Sequence, residues 1–195
     1  MPDKIPTREI ISHEELLELL DYNPETGEFR WRVNGRKRKK GKLAGSKGGG
    51  RNGQYLRVKI NYVAYYAHIL AWFYVHGYWP ENQIDHWDGD TVNNRIKNLR
   101  EATNQQNQGN RKLNENNTSG YKGVVWFTND QGWSAWASRI WVNGRMLNLG
   151  YFDSKEDAAL CYNEAALGYF GEYARLNDVD KISTMGSKQS SDESL

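Results

Sequence analysis

Residues 83–110, "QIDHWDGDTVNNRIKNLREATNQQNQGN", set one acid-imidazole pair, Asp85 and His86, ahead of Asn93, Asn94, Asn98, Asn104, Asn107 and Asn110. Asparagine is a poor helix former and a poor strand former. A segment this rich in it holds regular structure only where side chains cap an element or where its amide oxygens have other work. The rest of the chain must therefore supply the core, and it does so in two blocks of different pattern.

Upstream, Ser12 with Glu15 three residues later reads as a capping box, and Leu16, Leu17, Leu19 and Leu20 continue it as a short amphipathic helix. "PETG" predicts a turn and "EFRWRV" a strand by alternation. "NGRKRKKGKLAGSKGGGRNG" is loop by composition, "QYLRVKI" and "NYVAYY" form a hairpin, and "AHILAWFYVHG" is a buried helix ended by Gly77. Downstream of a turn-rich linker, "NENNTSG", come three strand candidates, "YKGVVWF", "WSAWASRIWV" and "RMLNLGYF". The last two are joined by Asn143-Gly144, a strong hairpin signal. A helix over "SKEDAALCYNEAALGYFG" follows, capped by Ser154 with Asp157. The terminal "STMGSKQSSDESL" has little to bury.

The 195 residues can bury a real core, and 13% aromatic residues argue against a disordered chain. The single cysteine, Cys161, rules out a disulfide framework and a cysteine zinc site. No apolar run is long enough to span a bilayer, and the N-terminus lacks a signal-peptide apolar region. The net charge of +2 hides a lopsided distribution: no acid falls between Glu28 and Glu81, where twelve Lys and Arg do. Arg36, Lys37, Arg38, Lys39, Lys40 and Lys42 are nearly contiguous, with Arg51 further on. Such a stretch attracts a polyanion, and its Gly-rich composition fits nucleic acid better than a membrane surface.

The Asp85-His86 pair is not part of an EF-hand, because Trp87 breaks the alternation of oxygen ligands. Structural zinc lacks its ligands, and no Ser or Cys sits in an elbow motif. Hydrolysis by a metal ion and a base remains, with a neutral imidazole as base and carboxylate and amide oxygens as hard ligands. Asn98 with Glu101 reads as the cap of a helix that carries Asn104 and Asn107 on one face.

"IDHWDGDTVNNRIKNLREATNQQNQGN" resembles the ββα-metal motif of HNH homing endonucleases of the phage and group I intron type. The resemblance implies Asp85 as metal ligand, His86 as general base and Asn107 as the ligand from the helix. It implies Asn98 as the middle residue that orients the imidazole, with Asn94 as the alternate. The last motif position is Asn rather than His, which favours Mg2+, with Mn2+ possible, over zinc. "AHILAWFYVHGYWP" resembles the helix preceding the motif in that family, and packing is the role expected of His68. Adjacent residues of an ideal strand face opposite ways, so Asp85 and His86 can serve one site only at a strand end.

The downstream block, "YKGVVWF" with "WASRIWVNGRMLNLGYFDSKEDAALCYNEAALGYFGEYARLN", resembles the plant ethylene-response-factor type DNA-binding domain, whose three-stranded sheet lies in the major groove. Alternation turns Ser138, Ile140, Val142, Leu147 and Leu149 toward the helix. It leaves Lys122, Arg139, Trp141, Met146 and Asn148 outward, with Arg145 at the hairpin in reach of phosphate. Val125 and Phe127 stand where plant members carry arginines, so a plant-like target is not implied. Trp126, Trp133 and Trp136 are expected to pack.

The expected fold is α+β: an HNH module with N-terminal helix, hairpins and basic loop over 1–115, a three-stranded antiparallel sheet packed on one helix over 116–178, and a disordered tail over 179–195. The expected function is metal-dependent, site-directed cleavage of double-stranded DNA, nicking as a monomer since no heptad announces a dimer. The setting is the cytoplasm, that of the host if the gene is a phage's. The alternative is a sequence-specific DNA-binding regulator whose nuclease fold is inactive.

Overall fold

The computed structural model describes residues 11–48 and 55–179. The fold is mixed α and β, and the chain divides into two compact units between Asn107 and Gln108, upstream of the linker at 115.

In the first unit, helix α1 (His13–Leu19) is capped by Ser12, whose hydroxyl accepts from Glu15 N. It stops one residue earlier than its leucines suggest. Leu20 opens strand β1 (Leu20–Asn23), which pairs antiparallel with β2 (Glu28–Trp31) through the Pro24–Gly27 turn. The alternate burial of Leu20, Tyr22, Phe29 and Trp31 explains the change: extended backbone sends all four into one core. The basic segment is not wholly irregular, since β3 (Ser46–Lys47) adds to β4 (Leu56–Ile60), itself paired with β5 (Val63–Tyr66). Helix α2 (Ala67–His76) follows without a linker and ends on left-handed Gly77. Leu16, Val58, Ile60, Leu70, Phe73 and Ile84 form the centre of this core.

Strand β6 (Gln83–His86) pairs antiparallel with β7 (Leu99–Ala102), with a 3-10 turn at Ile96–Asn98 between them. The expectation of a helix beginning at Asn98 is therefore corrected. Residues 99–102 are a strand because Leu99 and Ala102 bury while the backbone completes the ladder with β6. Helix α3 (Asn104–Gly109) starts later. Its capping box is Thr103 with Gln106: Gln106 N donates to Thr103 Oγ1 at 3.3 Å, and Thr103 N to Gln106 Oε1 at 2.8 Å.

The second unit is a three-stranded antiparallel sheet in sequence order, β8 (Val124–Thr128), β9 (Ser134–Val142) and β10 (Arg145–Phe152), with helix α4 (Lys155–Phe170) against one face. Ser138, Ile140 and Val142 are buried on the helix side with Tyr162, Ala166 and Phe170. A register shift between Asn148 and Gly150 interrupts the β9–β10 ladder. Trp136 packs, but Trp126 and Trp133 are about half exposed, contrary to expectation, and touch other rings at the surface. Val179, where a tail was expected to begin, is partly buried beside Tyr121 and Val124; the rest of that segment, 180–195, lies outside the described residues. No described helix is long and apolar enough to cross a membrane.

Candidate active site

Asp85 and His86 are the last two residues of β6, and both are buried. Asp85 pairs across the ladder with Arg100 of β7, and Arg100 Nε donates to Asp85 Oδ2 at 3.0 Å. The guanidinium's second nitrogen lies 3.0 Å from the same oxygen, so the buried carboxylate has its countercharge built in. Gln83 and Asp85, two apart on the strand, share a face. Asn107 Nδ2 donates to Gln83 Oε1 at 2.9 Å, which brings the α3 amide to the Asp85 side of β6.

His86 ends the strand, and a turn begins at Trp87. The His86 Nε2 lies 3.2 Å from Asn94 Oδ1, while Asn94 Nδ2 donates to Val92 O at 3.3 Å. An amide oxygen can only accept, so this contact places the ring proton on Nε2 and leaves Nδ1 as the basic nitrogen. Burial, and then the neighbouring His68, push the imidazole's pKa down to about 4. At neutral pH the ring is in its base form. His68 is itself buried, edge-on to His86 at 5.0 Å between ring centres and stacked on Tyr66.

Of the two asparagines expected at the middle position, it is Asn94, the alternate, that contacts the imidazole. Asn98 ties the loop instead: its Oδ1 accepts from Asp88 N at 3.1 Å, and its Nδ2 donates to Asp88 Oδ1 at 3.0 Å and to Asn93 O at 2.8 Å. Burial alone would raise the Asp88 pKa, but hydrogen bonds from the Asp90 amide, Asn93 and Asn98 outweigh it and hold the carboxylate ionised. Gly89, at φ +69, completes the turn.

Sequence reasoning missed what holds Asn94. The Tyr22 hydroxyl donates to Asn94 O at 2.7 Å, and Arg95 Nε donates to Glu25 O at 2.6 Å. Gly27, at φ +75, sits so close that a Cβ there would lie 2.5 Å from Asn94 C. The β1–β2 hairpin is therefore the brace of the His86 loop. Its one visible signal is the glycine that closes "PETG".

Asp85 and Asn107 offer hard oxygen donors, one of them charged, on one side of a strand. A hydrated Mg2+-sized cation needs few protein ligands, and this pair fits it. Among the described residues no cluster of three His, Cys, Asp or Glu offers a closed site for a softer metal.

Of the basic-loop residues, Arg36, Lys37, Lys39, Lys40 and Lys42 are exposed and Arg38 lies over the Trp31 ring; Arg51 is outside the described residues. On the sheet of the second unit, Trp141, Arg145 and Asn148 are exposed, and the Arg139 guanidinium lies over the Phe127 ring. Lys122 is a correction. It precedes β8 and is half-buried, and its ammonium donates to Gly109 O beside the Tyr162 ring. Gly123, at φ +78, takes the chain out of strand geometry there, so alternation does not extend back to residue 122.

The family model for HNH endonucleases matches residues 65–108, the span from the end of β5 to α3. "Protein 3.8" of Escherichia phage T7 is 32% identical over 116 residues, covering 59% of this chain and 93% of that protein. A protein of Acanthamoeba polyphaga mimivirus named as an uncharacterized HNH endonuclease is 33% identical over 97 residues, which is 50% of this chain and 48% of that one. No solved structure matches the chain. With the matched span coinciding with the strand pair and helix that carry Asp85, His86 and Asn107, the chain belongs to the HNH endonucleases and is a DNA endonuclease.

Proposed function

We propose that this endonuclease makes site-directed, homing-type nicks in double-stranded DNA, with His86 as general base. The observation that carries the reading is a buried, neutral imidazole at the end of β6 in contact with the Asn94 amide. His86 Nδ1 accepts a proton from water as the water oxygen attacks phosphorus; the bond from phosphorus to O3′ breaks, and O3′ takes a proton from a second solvent water. The products are a 5′ phosphate and a 3′ hydroxyl. Asp85 and Asn107 would hold a divalent cation, Mg2+ by the hardness of the donors with Mn2+ as substitute, which would supply positive charge at the leaving oxygen. Arg100 donates to the Asp85 carboxylate and fixes its orientation.

The second unit serves as a sheet-type DNA-binding domain of the ethylene-response-factor kind, over 116–178. Arg139, Trp141, Arg145 and Asn148 face the duplex, and the loop of Arg36, Lys37, Arg38, Lys39, Lys40 and Lys42 holds backbone phosphates. Supercoiled plasmid incubated with Mg2+ tests the whole: open circles that DNA ligase reseals, absent with EDTA, are expected. Stable DNA binding with no relaxation in either Mg2+ or Mn2+ would overturn the proposal in favour of a binding protein.

A further inference from the structure

The β4–β5 hairpin turns on two residues, Asn61 and Tyr62, between the paired Ile60 and Val63. Both turn residues have positive φ, +46 for Asn61 and +68 for Tyr62. Asparagine tolerates that conformation, and glycine is the residue such a turn asks for second. A tyrosine there is strained, because its Cβ crowds the carbonyl in the left-handed region. The strain gains no burial: Tyr62 is 89% exposed, the most exposed large hydrophobic residue among those described.

The surroundings are cationic. Arg36, Lys37, Arg38 and Lys59 line, with Asn61 and Tyr62, a surface groove of about 690 Å3 in which no Asp or Glu takes part. The Lys59 ammonium lies 5.9 Å from the centre of the Tyr62 ring, and the Arg38 guanidinium donates to Asn61 Oδ1 at 3.2 Å. Asn61 Nδ2 in turn donates to Glu15 Oε1 at 2.8 Å, so the turn is anchored to α1 and its tip is not free to collapse. An unburied aromatic ring held out of a strained, anchored turn and flanked by four cations matches one kind of ligand: a polyanion that carries flat apolar faces. That is a nucleic acid, its phosphates meeting the cations and a base meeting the ring.

We propose that Tyr62 is a stacking wedge of the nuclease unit, which inserts against a base step of bound duplex DNA while Arg36, Lys37, Arg38 and Lys59 hold the flanking phosphates. The proposal rests on the reading of the basic loop as a DNA contact and adds to it the residue that disturbs the bases. A wedge on the nuclease unit unstacks the bases it touches and makes bending there less costly.

Tyr62→Gly separates function from fold, because it relieves the strain while removing the ring. Its melting temperature should rise by roughly 2–4 °C. Its affinity for a labelled mixed-sequence duplex, measured in EDTA to prevent cleavage, should fall about tenfold or more. Permanganate, which oxidises unstacked thymines, should mark plasmid DNA bound by the wild type and leave DNA bound by Tyr62→Gly unmarked; Tyr62→Trp should restore the marks. Equal affinity and equal permanganate patterns for wild type and Tyr62→Gly would overturn the wedge while leaving the basic loop's role intact. Failure of the wild type itself to bind duplex DNA would sink the DNA reading of the loop and the wedge together.

Discussion

Gly27→Ala tests whether the N-terminal hairpin holds the catalytic loop in place. The added Cβ would stand 2.5 Å from Asn94 C and 2.6 Å from Arg95 N, both backbone atoms that cannot rotate away. Ordinary carbon contacts begin at about 3.5 Å, so one segment must move by about 1 Å. The left-handed φ of +75 adds its own cost for an L side chain. Strain of about 1–2 kcal/mol and overpacking of about 1–3 kcal/mol together predict a loss of about 2–5 kcal/mol. The His86–Asn94 contact, already 3.2 Å, does not survive such a displacement, and a 1 Å misplacement costs on the order of a hundredfold in rate. Gly41→Ala is the control, since Gly41 has φ +80 and nothing within 4 Å of its Cβ position. It should lose only the strain of about 1–2 kcal/mol and nick normally. Urea unfolding gives the stabilities, and single-turnover nicking of supercoiled plasmid, at a temperature where both variants are folded, gives the rates. If Gly27→Ala nicks as fast as Gly41→Ala, the hairpin does not brace the site.

Asn94→Ala should lower the nicking rate by about a hundredfold, whereas Asn98→Ala should act chiefly on stability, by about 2–3 kcal/mol from the loop bonds it loses; the reverse ranking of rates, each measured on folded protein, would restore Asn98 as the orienting residue. Burial, with Arg175 and Arg111 nearby, pushes the Lys122 pKa from 10.5 down to about 8. Between those values the unfolded chain holds a proton that the folded chain has released, so stability rises with pH across that window. Relative to Lys122→Met, the wild type should gain about 1–2 kcal/mol from pH 8 to pH 10.5, after allowance for partial exposure; parallel curves in urea melts would refute the shift. Replacing Lys37, Lys39, Lys40 and Lys42 with Gln should flatten the slope of log affinity against log salt by about 3–4 units if all four neutralise phosphates. An unchanged slope in a filter-binding titration would remove them from the interface.

What could be read from the sequence was what local chemistry decides. Helix α4 announces itself by Ser154 and Asp157, and the β9–β10 hairpin by Asn143-Gly144, because caps and tight turns depend on a few neighbouring residues. Strands β1 and β7 were hidden because each is four residues long and is set by its partner. Leu20 continues the leucine pattern of α1, and Asn98 with Glu101 imitates a capping box; only pairing with β2 and β6 makes these segments extended. Asp85, His86 and Asn107 stood out by type and spacing. The choice between Asn94 and Asn98 could not be made that way, since both lie in one loop and only its path brings Asn94 to the imidazole. Tyr22 and Gly27 act from about seventy positions upstream, beyond any local pattern.

The central claim is that His86, held neutral on Asn94, takes the proton from the attacking water. Comparing wild type with His86→Ala on supercoiled plasmid in Mg2+, alongside gel shifts in EDTA, tests it most directly. The account predicts that nicking vanishes in the variant while binding stays close to wild type, both measured at a temperature where the variant is folded. Undiminished Mg2+-dependent nicking by His86→Ala would contradict it.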